Sequence, residues 1–150
     1  MKNFSMRVKQ LSDLATLPTY GSDFAAGADL YACMDSPSGE VIIEPGQTLL
    51  VHTGLAMEIP EGLVGLIYAR SGLASKRGLA PANKVGVIDS DYRGEIMVAL
   101  HNHSAIPQVV THGERIAQMV FAPYYTADFV LSDSLDDTTR GSGGFGSTGA

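Results

Sequence analysis

The chain has 150 residues, 45% of them hydrophobic and 17% charged, which is enough for one domain with a core of its own. Sixteen acidic and ten basic side chains give a formal charge of −6, and this argues against polymeric nucleic acid as a partner. The single cysteine, Cys33, excludes an intrachain disulfide framework and fits a reducing compartment. No apolar run approaches the roughly 18 residues of a spanning helix, and the N-terminus has no signal region, so we expect a cytoplasmic protein without a membrane contact.

Short apolar runs separated by turn residues occupy most of the chain. In order, they cover residues 41–44, 48–59, 63–69, 85–88 and 116–122. Pro45-Gly46 and Pro60-Glu61-Gly62 supply turns between them, and residues 96–100 alternate with the period of two that is typical of a strand. Short runs between Gly and Pro turns favour an all-β sandwich or barrel. Only residues 71–77 are predicted to be helical.

The C-terminal residues differ in composition from the rest. Residues 132–139 are polar and acidic, and five of the eleven residues from 140 to 150 are glycine. We therefore place a barrel domain at residues 1–131 and a flexible arm at residues 132–150 that is not a strand of the core. The arm combines an arginine, unobstructed backbone N–H groups, hydroxyls and an aromatic ring. This set suits a nucleotide with its phosphates near Arg140 and its base on Phe145.

Two further segments carry candidate phosphate and sugar contacts. Arg70 and Ser71 follow an apolar run and open the predicted helix, where donors suit phosphate oxygens. The alternative is a serine cap beside a solvent-exposed arginine. Asp89 follows the apolar pair Val87-Ile88, so we expect a partly buried carboxylate fit to act as a general base, with the flat ring of Tyr92 against a sugar. The alternative is a polar hairpin with turn aspartates.

Residues 113–118 open the last apolar run and end in Gln118. An amide among apolar side chains needs partners, and a ligand phosphate would supply one. The alternative is a Gln118 bonded to backbone, with Arg115 and Glu114 paired at the surface. His101 and His103 share a strand face and are predicted to be surface or interface residues. With one cysteine, a structural zinc site is not predicted.

Together, five segments resemble the motifs of the trimeric deoxyuridine triphosphatase (dUTPase) family. They match in order and with ordinary spacing, and the resemblance runs from about Val8 to the C-terminus. The segments are residues 26–31, 70–74, 86–94, 113–118 and 140–148. One departure is Ala69, where the family usually has proline, and this puts the rigidity of the loop in question rather than the reaction.

The resemblance implies Mg-dependent hydrolysis of dUTP to dUMP and pyrophosphate by attack of water on the α-phosphate. It implies that Asp89 activates the water, that Tyr92 packs on the deoxyribose, and that Asp29 holds a water on the magnesium side. The uracil would be read by Asn83 and by the backbone of Val87 and Ile88. The phosphate chain would be bound by Arg70, Ser71, Gly72 and Gln118. In the arm, Arg140 would grip the terminal phosphate, Phe145 would cover the uracil, and Ser142, Gly144, Gly146 and Ser147 would complete the clamp.

The same resemblance implies a jelly-roll-like β barrel and a homotrimer. The arm of one subunit would close a site built by the other two, and Mg²⁺ would be bound mainly by the substrate triphosphate. Two alternatives remain. A dCTP deaminase would need a water-activating glutamate, for which Glu58, Glu61 and Glu95 are candidates. A catalytically silent binding protein would keep the fold without turnover.

Overall fold

The computed structural model describes residues 4–144, which contain eleven β-strands and one short α-helix. The first five strands are β1 (Arg7–Gln10), β2 (Thr19–Tyr20), β3 (Ala28–Tyr31), β4 (Glu40–Ile43) and β5 (Thr48–Glu58). They are followed by β6 (Leu63–Tyr68), α1 (Ser71–Arg77), β7 (Leu79–Pro81), β8 (Gly86–Ile88), β9 (Glu95–Asn102), β10 (Gln108–Thr111) and β11 (Arg115–Pro123).

The strands form three antiparallel sheets. A four-stranded sheet has the order β1-β5-β9-β7, a five-stranded sheet has the order β2-β3-β11-β6-β8, and β10 pairs with β4. The prediction of an all-β, jelly-roll-like fold is confirmed, and so is the single short helix. The strands β1, β2, β7 and β10 were not predicted, because they are short and, unlike the equally short β4 and β8, do not coincide with one of the apolar runs.

The core lies between the two large sheets, and β9 illustrates how the sequence builds it. Ile96, Val98 and Leu100 are buried, while the residues between them are only partly covered. The register places Val98 opposite Val51 and Leu100 opposite Leu49 on β5. Each fully buried aliphatic side chain of this kind contributes about 1.5–3 kcal/mol to the folded state. Because apolar residues alternate in the sequence, β9 has one face buried in the core and one face that is only partly covered.

A bulge in β5 brings a carboxylate to its backbone. The pairing of β5 with β9 shifts between His52 and Ala56, and Gly54 lies in the left-handed region with φ 68°. A Cβ at Gly54 would lie 2.8 Å from the Ala15 Cβ and 2.9 Å from the Cys33 Sγ. The Gly54 N–H donates to Glu95 Oε1 at 2.8 Å, and the other carboxylate oxygen of Glu95 lies 2.9 Å from His52 Nδ1. Glu95 is therefore held by the bulge.

Helix α1 begins directly after the last residue of an extended segment. Arg70 is its N-cap in extended backbone and makes no side-chain cap bond, so the alternative of a serine cap is wrong. The helix ends at Gly78, whose φ of 67° lets its N–H donate to the carbonyls of Ala74 and Leu73. Leu73 anchors the helix in the core.

Strand β11 ends at Pro123, and the described residues after it, 124–144, form no strand or helix. Tyr124 still donates from its N–H to the Gly62 carbonyl at 3.3 Å. Beyond it, five large apolar side chains are almost completely exposed on the single chain, namely Tyr125, Phe129, Val130, Leu131 and Leu135. The division at residue 131 stays a prediction. No helix within residues 4–144 is long and apolar enough to cross a membrane.

Candidate active site

One row of residues across the five-stranded sheet joins three segments that are far apart in the sequence. Asp29 on β3 lies opposite Gln118 on β11, and Gln118 in turn lies opposite Tyr68 on β6. Arg70 and Ser71 follow Tyr68 after one intervening residue, Ala69. The pairing of these three strands therefore gathers the candidate phosphate ligands at one end of the sheet. We call Asp29, Arg70, Arg115 and Gln118 the anion corner.

Asp29 is the buried member of the anion corner and is 7% exposed. Its Oδ1 accepts from Arg70 Nε at 2.7 Å, and its Oδ2 accepts from Arg115 Nη1 at 3.2 Å. A buried carboxylate is costly unless it is paired and hydrogen-bonded, and here two guanidinium groups meet that need. Among the described residues, the two terminal nitrogens of Arg70 have no other hydrogen-bond partner. Asp29 therefore holds Arg70 with donors left for an anion.

The predicted role of Asp29 near magnesium stays a prediction. A carboxylate can accept about four hydrogen bonds, so Asp29 retains capacity for a water after accepting from two arginines. The residues present thus fit a metal reached through water. Within residues 4–144, no group of three or more His, Cys, Asp or Glu side chains is arranged to hold a metal ion directly.

Gln118 is half-buried rather than buried, and it fixes the loop that precedes the helix. Its Nε2 donates to the Ala69 carbonyl at 2.9 Å, as the alternative interpretation proposed. Its Oε1 lies against Gly27, where a Cβ would approach to 2.5 Å. The Nε2 group carries a second hydrogen for a ligand. Because Gln118 holds the Ala69 carbonyl, the loop keeps a constraint at the position where the family usually has proline.

The alternative of a surface pair between Arg115 and Glu114 is wrong. Arg115 instead reaches Asp29, and Glu114 forms an ion pair with Arg77 at the end of α1. Arg77 also donates from Nε to Gln108 Oε1 at 3.0 Å and from Nη2 to the Val109 carbonyl. These bonds tie the helix to β10. The sequence did not reveal the role of Arg115, because residues three apart on a regular strand point to opposite faces and only the irregular register between Arg115 and Ala117 changes this.

The helix start lies in the open beside the anion corner. Ser71 and Gly72 are exposed, and a Cβ at Gly72 would meet no atom within 4 Å. The first N–H groups of a helix have no intrahelical acceptor, so they remain available to solvent or ligand.

His101 and His103 lie outside the anion corner, with ring centroids 4.4 Å apart, and His101 bonds to Thr48 Oγ1 at 2.8 Å.

The segment with Asp89 lies at an edge, because β8 is the last strand of its sheet. Asp89 is exposed on the single chain, so the expected partial burial is wrong there. Among residues 4–144, no strand pairs with the outer side of β8. Asn83 is also exposed, Val87 is 62% exposed and Ile88 is half-buried. Lys84 has φ 65°, which turns the chain between β7 and β8.

Tyr92 is partly exposed but held in place. Its hydroxyl donates to the Glu95 carbonyl at 3.0 Å, across the turn from β8 to β9. A polar cleft of about 880 Å³ adjoins this turn and has more acidic than basic side chains in its lining. The charged members are Arg7, Glu58, Glu61, Asp89, Asp91 and Arg93.

The anion corner and Asp89 lie at opposite ends of β6. Ile88 pairs with Gly65, and β8 runs antiparallel to β6, so Asp89 lies beyond Gly65 toward the start of that strand. Arg70 follows the other end of β6. Five residues of extended chain separate positions 65 and 70, which is about 16 Å. Within a single chain, the backbone positions of Asp89 and Arg70 are therefore well separated along β6.

The arm is described only in its first part. Arg140 and Ser142 are exposed, Gly144 is half-exposed, and Arg140 Nε donates to the Gly143 carbonyl at 2.8 Å. The predicted arm contacts of Phe145, Gly146 and Ser147 lie outside the described residues.

Known proteins with similar sequences and folds identify the family of this chain. The dUTPase family profile matches residues 13–149. Deoxyuridine 5′-triphosphate nucleotidohydrolase of Desulfitobacterium hafniense (strain DSM 10664 / DCB-2) is 59% identical over 134 residues, which are 89% of this chain and 87% of that protein. The enzyme of the same name from Syntrophotalea carbinolica is 47% identical over 149 residues, or 99% of both chains. Among solved structures, a variant dUTPase of Staphylococcus bacteriophage 80alpha with dUpNHpp superposes with a TM-score of 0.89, at 27% identity, over 99% of this chain and 100% of that one. The chain therefore belongs to the dUTPase family.

Proposed function

We propose that this protein is a dUTP diphosphatase, which hydrolyses dUTP to dUMP and pyrophosphate with the help of Mg²⁺. The observation that carries the proposal is the anion corner, in which the buried carboxylate of Asp29 holds Arg70 beside Gln118. A pre-oriented guanidinium beside an amide donor suits phosphate oxygens, because charge-assisted bonds to phosphate are strong and directional. Family membership supplies the substrate: the relatives that match are named for dUTP.

The reaction needs a water in line with the bond that breaks. In the proposed mechanism, Asp89 accepts a proton from the water as its oxygen attacks the α-phosphorus. The bond from the α-phosphorus to the bridging oxygen then breaks, and pyrophosphate leaves. Arg70, Ser71, Gly72 and Gln118 hold the chain of phosphates in position, so catalysis is mainly positioning and charge neutralisation. Bound to the triphosphate, Mg²⁺ would neutralise part of its charge, with Asp29 holding a water at its side.

Selection of the nucleotide is assigned to the hairpin that carries Asp89. Asn83 and the backbone of Val87 and Ile88 read the uracil edge, and a pattern of donors and acceptors rejects cytosine because its exocyclic group would leave them unpaired. The ring of Tyr92 packs on the deoxyribose and leaves no room for a 2′-hydroxyl. By removing dUTP, the reaction would limit uracil incorporation into DNA and supply dUMP for thymidylate synthesis. The expected cytoplasmic location stays a prediction.

We assign the complete site to a homotrimer rather than to one chain. The distance of about 16 Å along β6 supports this, because the general base must lie within hydrogen-bond reach of the attacking water while Arg70 binds the same substrate. Charge supports it as well: the cleft beside Asp89 is mainly acidic and would repel a triphosphate without cations from elsewhere. Asp89 of one subunit would then face the anion corner of another.

The segment after β11 supports the same assembly. Tyr125, Phe129 and Leu131 are 97–103% exposed on the single chain. Large apolar side chains that residues 4–144 leave almost fully exposed are typical of a surface covered by another subunit. This segment leads to Arg140, so a course across a neighbour would carry the arm to a site built by the other two subunits. The arm would close over the substrate and exclude bulk water.

The surroundings of the three candidate glutamates, Glu58, Glu61 and Glu95, argue against a dCTP deaminase. Both carboxylate oxygens of Glu95 are engaged, one by the Gly54 N–H and one by His52. Glu58 accepts from Arg7 at 2.6 Å. Neither is poised to activate a water against a base, and Glu61 is an exposed turn residue.

The test is an assay of the purified protein with dUTP, dCTP, dTTP and UTP, each with Mg²⁺ and with a chelator. We expect dUMP and pyrophosphate from dUTP, with strong dependence on Mg²⁺. Formation of dUTP from dCTP would replace the proposal with the deaminase. Tight binding of dUTP without turnover would replace it with the silent binding protein.

A further inference from the structure

Tyr92 folds back over Gly94 in the turn that leads from Asp89 into β9. A Cβ built at Gly94 would overlap the Tyr92 hydroxyl and would lie 2.6 Å from Cζ and 2.9 Å from Cε2. Real Cβ atoms essentially never approach another atom so closely, so the ring occupies the space of a missing side chain. From this position over Gly94, the Tyr92 hydroxyl donates a hydrogen bond to the Glu95 carbonyl.

The backbone of this turn is held independently of the ring. Arg93 Nη1 donates to the Ser90 carbonyl at 2.7 Å and to the Tyr92 carbonyl at 3.0 Å. The Tyr92 N–H donates to the Asp89 carbonyl at 3.2 Å. Arg93 also lies 3.9 Å from Glu58 on β5. If a side chain were added at position 94, the ring of Tyr92 would therefore move, because one hydrogen bond from its hydroxyl holds the ring whereas several bonds fix the backbone of the turn.

The backbone conformation at position 94 does not require glycine. Gly94 is absent from the glycines with positive φ among residues 4–144, so its backbone conformation is open to alanine. The reason for glycine at this position is then the space that the tyrosine ring fills. We propose that Gly94 is a positioning residue for sugar discrimination: it sets where the Tyr92 ring lies, and through that ring it sets the preference for deoxyribose over ribose.

This proposal rests on the proposed hydrolysis of dUTP, with Tyr92 against the sugar. Substitution Gly94→Ala is expected to raise kcat/KM for UTP relative to dUTP by about 10- to 100-fold, the size of effect that follows from displacing a positioning group by about an ångström. The matched control is Gly21→Ala. Gly21 also has no positive φ, and its added Cβ would meet no atom within 4 Å. The control should keep the wild-type ratio.

A double-mutant cycle separates positioning from a general loss of structure. If Gly94 acts through the ring, Gly94→Ala should change the UTP-to-dUTP ratio in the wild-type background and leave it unchanged in a Tyr92→Ala background. An equal change in both backgrounds would overturn the proposal, and so would an unchanged ratio in the single variant.

The packing of the Tyr92 ring on Gly94 can be measured by NMR without enzymatic turnover. The Tyr92 ring should shift the α-protons of Gly94 upfield in the NMR spectrum and give nuclear Overhauser contacts to them, both lost in Tyr92→Leu. Absence of these contacts in the wild-type protein would overturn the positioning of the ring. If the contacts are present and the wild-type protein does not hydrolyse dUTP, the proposed function fails and with it the assignment of sugar discrimination, whereas the packing of Tyr92 on Gly94 stands.

Discussion

At the scale of single residues, Asp29 and Asp89 are two aspartates with opposite environments. Asp29 is buried and bound by two arginines, whereas Asp89 is exposed at the edge of a sheet. Burial without a partner would be unfavourable for the first, and exposure leaves the second available to a water and a neighbouring subunit. The sequence distinguishes them only by their motif context, since both follow or open short apolar strands.

Substitution Asp89→Asn is expected to lower kcat by about 10²- to 10⁴-fold while nucleotide binding changes little, because the amide cannot accept the proton of the attacking water. The measurements are steady-state kinetics and calorimetric titration with a non-hydrolysable analogue. Asp91→Asn is the matched control, an exposed aspartate in the same turn. A kcat within a few-fold of wild type would remove Asp89 as the base.

Substitution Asp29→Asn is expected to destabilise the fold by about 1–3 kcal/mol, since two arginines lose their charged partner and both are partly solvated. It should also raise KM for dUTP, because Arg70 is no longer held in place. Urea denaturation measures the first effect and kinetics the second. Asp91→Asn again serves as the control. A variant as stable as wild type with an unchanged KM would contradict the structural role of the pair.

At the scale of elements, the bulge in β5 has a clear physical requirement for glycine. Both the positive φ of Gly54 and the space around it exclude a side chain. The bulge also presents its N–H to Glu95, the first residue of β9, one residue after Gly94. The turn that carries Tyr92 is therefore anchored on one side by β5.

Substitution Gly54→Ala is expected to destabilise the protein by about 2–4 kcal/mol, from overpacking against Ala15 and Cys33 together with the strained backbone. Gly46→Ala isolates the backbone part, because Gly46 has φ 75° and an added Cβ there would meet nothing within 4 Å. Chemical denaturation of both variants gives the comparison. Equal losses would mean that the close contacts at Gly54 contribute nothing.

At the scale of the whole molecule, we propose that assembly of several subunits completes the site. The two halves of the site lie at opposite ends of one strand, and the segment after β11 exposes its apolar side chains. Both features suit a molecule whose stable form is a trimer with shared sites.

Mixing two inactive variants tests the shared site. Arg70→Ala and Asp89→Asn should each be nearly inactive, but trimers re-formed from a mixture should regain activity, because some sites then combine an intact Arg70 with an intact Asp89 from another chain. Activity of the refolded mixture against each variant alone is the measurement. No recovery in trimers shown by mass spectrometry to be mixed would contradict a site shared between these two residues.

The two roles proposed for the C-terminal segment, assembly of the trimer and closure of the site, should depend on different residues. The double substitution Phe129→Asp and Leu131→Asp is expected to dissociate the trimer, because it places charge where another subunit would cover apolar surface. Deleting residues 140–150 should leave the trimer intact and abolish most turnover. Analytical ultracentrifugation and kinetics measure both. Ser134→Asp, which adds charge at an exposed polar position of the same segment, is the control. A trimer unaffected by the double substitution would remove this segment from the interface.

The sequence alone determined the all-β class, the short helix, the family and the identity of the candidate site residues, because apolar alternation, turn residues and motif order are local properties of the chain. The tertiary structure decided which residues meet. Asp29 contacts arginines 41 and 86 positions away, and Asp89 lies at the far end of β6 from Arg70. Those outcomes depend on strand order and register, which follow from packing of the whole core and leave no signal in local spacing. The same holds for Gly94, which from the sequence is one more turn glycine and in the fold is the space that the Tyr92 ring fills.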